Sequence, residues 1–317
     1  MYVTLLLLML LPVPFQQADA EEAYRSDYAE YTEITQIADP AAQFERYLAF
    51  IDKGYDPRLE GAIVQGLQNG LSAMVEAKNY GKVYEFADKW VAARSGDLPP
   101  IALAWQAGAM AGNNQATVRY GEKLYAAQSI PAVAMSLANA YLALGNKAKI
   151  RQWGELVLNS EPIEETWSIA YALVGQHDSA GRFNQASQLA KKLQGGLGSA
   201  PQGVSAREWM QIRTYLQETV ARASFEAGQW AAAIREFNVA LRFNSRNDKA
   251  YYYIGESLLK SNEIADAMTA FAKSQLLSGG YSARSKGMLE TIYKANHGGN
   301  LIGIDDIINQ ARRELQN

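Results

Sequence analysis

The chain nearly repeats itself 34 residues on. When residues 217–250 are laid over 251–284, Ala231 meets Ala265, Ala233 meets Ala267 and Phe237 meets Phe271. Val220 falls on Ile254, Ala221 on Gly255 and Ala240 on Ser274. Each pair matches in size, as expected where the same contact recurs in successive copies of one unit. The residues are rich in Ala, Leu, Gln and Glu, and the chain holds only 9 prolines in 317 residues. Such residues lose little rotamer freedom in a helix, so a unit of this length has room for two helices and a tight turn. A helix pair this small buries its apolar face only against neighbouring pairs, which commits the chain to a stack of them.

Within each copy the second helix carries a small residue, an aromatic and another small residue at spacings of four and three. In the first copy these are Ala233, Phe237 and Ala240; in the second they are Ala267, Phe271 and Ser274. Those spacings share one helix face, and alternating small and large side chains let helices approach and interlock. With Ala221 or Gly255 in the first helix and Gly228 or Asn262 at the turn, the pattern resembles the tetratricopeptide repeat. Two departures are visible. The usual closing proline is Ser245 in one copy and Gly279 in the other, and the early aromatic is Tyr251 in the second copy but Gln217 in the first. Upstream, Leu137, Ala138, Tyr141, Gly145 and Pro162 keep the spacing of a further repeat, while Ile150 and Gly154 replace its small and aromatic residues. Residues 163–193, with Gly181 and Ala186, read as a stretched copy. Residues 62–91 and 101–124 keep only the helix–turn–helix rhythm. Residues 281–295 and 304–315 read as capping helices, the latter with Asp305 and Asp306 at its start and Arg312 and Arg313 near its end. The resemblance implies an all-α fold: an α-solenoid, wound as a right-handed superhelix, of eight or more antiparallel helix pairs or part-pairs.

The first twenty residues stand apart. Met1 to Phe15 lacks charged side chains and has a leucine-rich centre, and Ala18-Asp19-Ala20 is a small-x-small sequence of the kind signal peptidase reads. No Lys or Arg precedes the apolar run, a departure from the ordinary signal. The run is too short to cross about 30 Å of hydrocarbon. Residues 1–20 are therefore expected to be a signal peptide cleaved near Ala20, leaving no integral membrane span. The absence of cysteine excludes disulfides, thiolate chemistry and a lipid-bearing cysteine. The chain also lacks an Asn-x-Ser/Thr sequon, which points toward a bacterial periplasmic or secreted location. The expected organisation then runs as a degenerate helical-repeat region at 21–193, a Gly-rich connector at 194–204, the clearest repeats at 205–296 and a capping helix at 297–317.

Chemistry-bearing residues are sparse. With 30 basic and 33 acidic side chains the formal charge is −3, so nothing offers the cationic footprint of a nucleic-acid binder. Only two histidines occur, His177 and His297. His177 reads as a polar helix position near a turn and His297 as a loop residue. Glu161, Glu164 and Glu165 read as acids complementing a helix N-terminus. No enzyme activity, cofactor or metal is expected. An all-α carbohydrate-active enzyme working through acidic residues is the alternative, to be recognised by carboxylates converging with an aromatic platform in a closed pocket. Self-association along the solenoid also stays open.

What remains is surface. The resemblance implies that the first helices line a concave groove for a protein or peptide. Their outward residues in the first copy are Tyr215, Glu218, Arg222, Phe225 and Glu226, and in the second Lys249, Tyr252, Glu256, Leu259 and Lys260. Lys286, Glu290 and Tyr293 follow in the next helix. Aromatic and Arg side chains are typical interface anchors. The bland alternative makes Glu218–Arg222 and Glu256–Lys260 solvated i,i+4 pairs. Of the run Tyr251-Tyr252-Tyr253, one ring is expected to pack inward and two to reach the groove or a neighbour. The family's clamp for acidic chaperone C-termini needs Lys or Asn where this chain has Glu218 and Glu256, which speaks against that ligand. The reading is an exported scaffold or adaptor in an envelope assembly.

Overall fold

The structure, a computed structural model, describes residues 13–316, with side chains from Asp19 onward. Among the described residues there are sixteen α-helices and no strand. They form two compact units that divide between Lys149 and Ile150.

The first unit holds α1 (Val13–Thr35), α2 (Pro40–Lys53), α3 (Glu60–Glu76), α4 (Tyr80–Ala93), α5 (Pro99–Met110), α6 (Asn114–Ala127) and α7 (Pro131–Ala143). Pro40, Pro99 and Pro131 open their helices, where a missing N–H costs nothing. Asp39 and Asn113 cap theirs by accepting from Ala42 and Ala116. Phe44 stacks on Phe86 at 4.9 Å and meets the edge of Trp90, whose indole N–H donates to Asp97. The first twelve residues of the expected signal lie outside the described residues. Helix α1 runs unbroken through Ala20, so the expected cleavage point falls within a helix.

The second unit holds α8 (Lys147–Ser160, less its first turn), α9 (Ile163–Ser179), α10 (Phe183–Gly196), α11 (Ala206–Glu226), α12 (Trp230–Phe243), α13 (Asp248–Lys260), α14 (Ile264–Leu276), α15 (Ser282–Asn296) and α16 (Ile304–Glu314). Successive helices pack on one another from α9 to α15, and α16 folds back onto α14. Its core is an aromatic cluster of Phe225, Phe237, Tyr252, Tyr253, Phe271 and Tyr281.

One turn recurs six times between residues 78 and 262. Lys78, Gly112, Gly145, Gly181, Gly228 and Asn262 all take left-handed φ between 57° and 71° at the end of a first helix. At each, the residue's own N–H reaches back three residues and the next N–H reaches back five, as in Gly228 to Phe225 and Gln229 to Ser224. This paired capping satisfies carbonyls that the helix end would leave open. The tetratricopeptide-like period is therefore present far upstream of the two copies legible in the sequence.

The upstream copies escape sequence matching because their volumes are exchanged. Counting from the turn, Ala221 and Gly255 sit seven residues before it, and the fully buried Phe237 and Phe271 nine residues after it. In three upstream copies the large residue lies on the first helix and the small one on the second: Leu71 with Ala87, Trp105 with Gly121, and Val174 with Ala190. A Cβ on Gly121 would come within 3.1 Å of the Trp105 ring, so glycine permits the close crossing there. The contact needs one large and one small partner, whichever helix supplies it.

The Gly-rich stretch is more helical than its composition suggests. Helix α10 continues through Gly195 and Gly196 into the expected connector, and the irregular loop occupies 197–205. Gly196 lies against the Ile163 side chain where a Cβ has no room, so tight α9–α10 packing overrides weak helix propensity.

Candidate functional site

The first helices of the second unit are α9, α11 and α13, and the predicted groove residues lie on the last two. Tyr215 of α11 is half-buried and meets Tyr171 of α9 edge-on at 5.7 Å. Burial, with Asp178 nearby, pushes its hydroxyl pKa up to about 12, so it stays a neutral donor. Glu218 is only 9% exposed and accepts from Asn247 Nδ2 at 2.5 Å and Lys249 Nζ at 2.7 Å. Arg222 lies over the Phe183 ring and within 3.7 Å of Asp178 and 3.6 Å of Glu226.

The charges therefore pair differently from the i,i+4 expectation. Glu218 turns to the start of α13 and Arg222 to α9 and Glu226, so Glu218–Arg222 does not form. Glu256 accepts the Tyr252 hydroxyl at 2.8 Å, and Lys260 is exposed and makes no ion pair among the described residues. Neighbouring first helices offer partners whose attraction is stronger where water is excluded. Lys286 and Glu290 do form their i,i+4 pair, at 3.8 Å.

Several candidates belong to the core. Phe225 lies edge-on to Trp230 and Tyr253, and Leu259 packs on the same cluster half-buried. Tyr252 is 9% exposed, as is Tyr253, so two tyrosines of the run turn inward where one was expected. The Tyr252 hydroxyl is held neutral with a pKa of about 12 by burial and the Glu256 carboxylate that accepts from it. Tyr293 is buried and donates to the Ile302 carbonyl at 2.6 Å, with His297 stacked on its ring. His177 is likewise buried: Arg182 Nε donates to its Nδ1 at 2.9 Å, and burial lowers its pKa. It is thus a neutral acceptor, at the helix position near a turn that the sequence implied but buried there.

Tyr215 and Glu218 open onto a cavity of about 740 Å³ along the first turns of α11, walled also by Met210, Thr214, Phe243 and Asn244. Positions 207, 210, 211, 214 and 218 recur every three to four residues and so share one face of α11. Met210 is 45% exposed there. The sequence reading missed Arg207, Met210 and Phe243 because, although it began the repeat region at 205, it aligned the two copies only from Gln217. Helix α11 begins eleven residues earlier and has 21 residues against 14 in α12. The missed signal is Ser205-x-x-Glu208, a reciprocal capping box: Ser205 Oγ accepts the Glu208 N–H, and Glu208 Oε2 accepts the Ser205 N–H.

A smaller cavity of about 240 Å³ brings Asp266 and Glu314 beside Tyr251. Glu314 accepts from Lys273 at 2.6 Å, which holds its carboxyl below the usual range, so it is a fixed anion and not a proton donor. Among the described residues no group of three or more His, Asp or Glu is placed to hold a metal ion. No described helix is long and apolar enough to cross a membrane.

No family model and no curated protein matches the sequence. Among solved structures, a tetratricopeptide repeat protein from Parabacteroides merdae shares 15% identity over 86% of this chain and 99% of its own, with a TM-score of 0.34. The C-terminal part of a TPR repeat-containing protein from Cytophaga hutchinsonii shares 11% over 78% of this chain and 93% of its own, with a TM-score of 0.39. The TPR domain of P58(IPK) shares 12% over 95% of this chain and 79% of its own, with a TM-score of 0.29.

Proposed function

We propose that this chain is a non-catalytic scaffold or adaptor that holds a protein or peptide partner along α11 and the flanking first helices, after export to a bacterial envelope. The observation that carries the reading is the open cavity of about 740 Å³ along α11, lined by Met210, Tyr215 and Phe243, with Arg222 one turn beyond Glu218 on the same helix. Asp178 Oδ1 and Arg222 Nε are buried yet make no hydrogen bond, and their ion pairs are 3.6 to 3.7 Å long. These atoms are closed off from solvent, so they order the face beside Tyr215 and leave contact with a partner to the exposed surface around them. Tyr215 and the α11 cavity lie on the same helix and supply aromatic and apolar surface for a partner to cover. Export is supported by the leucine-rich run followed by Ala18-Asp19-Ala20.

The test is retention of partners from an envelope extract by immobilised protein, compared with a Tyr215→Ala, Arg222→Glu double variant. Loss of specific proteins with the variant, its helical content unchanged, supports the reading. Retention of the same set in the same amounts overturns it. Sedimentation of the purified protein distinguishes a monomeric adaptor from a self-associating subunit.

A further inference from the structure

Three arginines at or beside the α11 cavity make no ion pair among the described residues, while its one lining carboxylate, Glu218, is engaged by Lys249. Arg207 lines the cavity and is exposed. Arg213 lays its guanidinium 4.3 Å from the Phe243 ring, one of the cavity walls. Arg246 is exposed and sits beside the cavity because its backbone N–H donates to Asn244, another wall residue, at 3.1 Å. Among the described residues none of these three arginines makes an ion pair. The carboxylates nearby are already engaged: Glu218 holds Asn247 and Lys249, and Glu208 is turned to Ser205 in the helix cap. Glu218, the one carboxylate among the lining residues, is matched by Lys249, so Arg207 in the lining with Arg213 and Arg246 beside it leaves this groove locally positive in a chain of net charge −3.

We infer that the partner segment held here is an acidic peptide with an apolar anchor: a large apolar side chain seated between Met210, Tyr215 and Phe243, flanked by carboxylates that meet Arg207, Arg213 and Arg246. This rests on the protein-binding reading above and names the partner's chemistry. The cavity's volume lies within the roughly 300–1,000 Å³ usual for built binding sites. Arginine offers a planar fork that matches carboxylates bidentately, and its weak hydration lets it work at a partly dry rim. Met210 has three rotatable bonds and a polarisable sulfur, so it adapts to an anchor of either aliphatic or aromatic shape. Charge complementarity then sets the preference between partners that would fill the apolar groove equally well.

The experiment uses the full chain and two fluorescent peptides of about twelve residues, one alternating Glu with Leu and the other alternating Lys with Leu. Anisotropy titrations are run on wild type, on an Arg207→Glu, Arg246→Glu double variant and on Met210→Ser. Both arginines of the double variant are exposed and unpaired, so the fold is unaffected, as circular dichroism will confirm. The expected result is binding of the acidic peptide at least about tenfold tighter than of the basic one. The double variant should lose about tenfold or more in affinity for the acidic peptide, and Met210→Ser should weaken it as well. Equal or tighter binding of the basic peptide, or indifference to the arginine variant, overturns the acidic preference. If wild type binds neither peptide the inference also falls. The scaffold reading fails separately, only if envelope partners ignore the Tyr215→Ala, Arg222→Glu variant.

Discussion

Gly255 is the position where the repeat's packing can be tested most sharply. A Cβ placed there would lie 2.9 to 3.0 Å from three atoms of the Phe271 ring. Phe271 is fully buried within the aromatic cluster, so the ring cannot swing aside cheaply. In an unhindered helix interior, Gly→Ala stabilises by about 1 kcal/mol. Overpacking a buried contact costs about 1–3 kcal/mol, and a rigid ring puts this case near the upper end. Gly255→Ala should therefore destabilise the protein by about 1–2 kcal/mol. Phe271→Ala alone should cost about 3–5 kcal/mol through lost burial and the cavity it leaves. In that second background the clash is gone while the helix preference remains, so adding Gly255→Ala should stabilise by about 1 kcal/mol. The change of sign is a coupling of about 2–3 kcal/mol between two residues in contact. Urea unfolding followed by circular dichroism on the four proteins measures it. If Gly255→Ala stabilises both backgrounds alike, the close crossing of α13 and α14 at Phe271 is not what selects glycine there.

Four further outcomes follow from the same structure. Lys78 holds φ at 57° where its counterparts at four other turns of this kind are glycine, so Lys78→Gly should raise stability by about 0.5–1 kcal/mol in urea unfolding. His177 is neutral in the folded state with a pKa below its ordinary 6.5, so below pH 6.5 the unfolded chain binds the extra proton and stability falls as pH drops. That slope should flatten in His177→Gln, read from urea midpoints between pH 7 and 5. Glu218→Ala strands Asn247 and Lys249 and should cost about 1–3 kcal/mol, while Glu218→Gln, which still accepts from Asn247, should cost less. Ser205→Ala removes the α11 cap and should cost about 1 kcal/mol, with faster amide exchange confined to the first turn of α11.

What the sequence determined by itself is the element type and the period wherever small and large residues keep their usual helix. Ala221 with Phe237 and Gly255 with Phe271 announce the repeat, because the same volume recurs in the same order at a fixed offset. The capping helices at 282–296 and 304–314 were legible from periodicity and end charges to within a residue or two. The upstream copies were not, since packing constrains the sum of two facing volumes and not which helix carries the larger. Trp105 against Gly121 satisfies the contact as well as Gly255 against Phe271, and only the tertiary crossing and the recurring left-handed turn reveal their equivalence. Lys78 and Asn262 take that turn without glycine, a backbone choice that composition does not announce.

The same division holds for the candidate site. Residue type and helical spacing placed Tyr215, Glu218, Arg222 and Lys249 on first helices, and the structure keeps them together. Which of their neighbours face solvent was a tertiary decision: Tyr252, Phe225 and Leu259 share the helix faces expected of a groove yet sink into the core, because the aromatic cluster of adjoining helices offers them apolar area to bury. Ion-pair choice was decided there too, since Glu218 finds Asn247 and Lys249 on the next helix instead of Arg222 one turn away. The early start of α11 at Ala206 opens the cavity with its arginine rim. A capping box in the sequence marks that start, but only packing against the shorter α12 turns the extra turns into a groove.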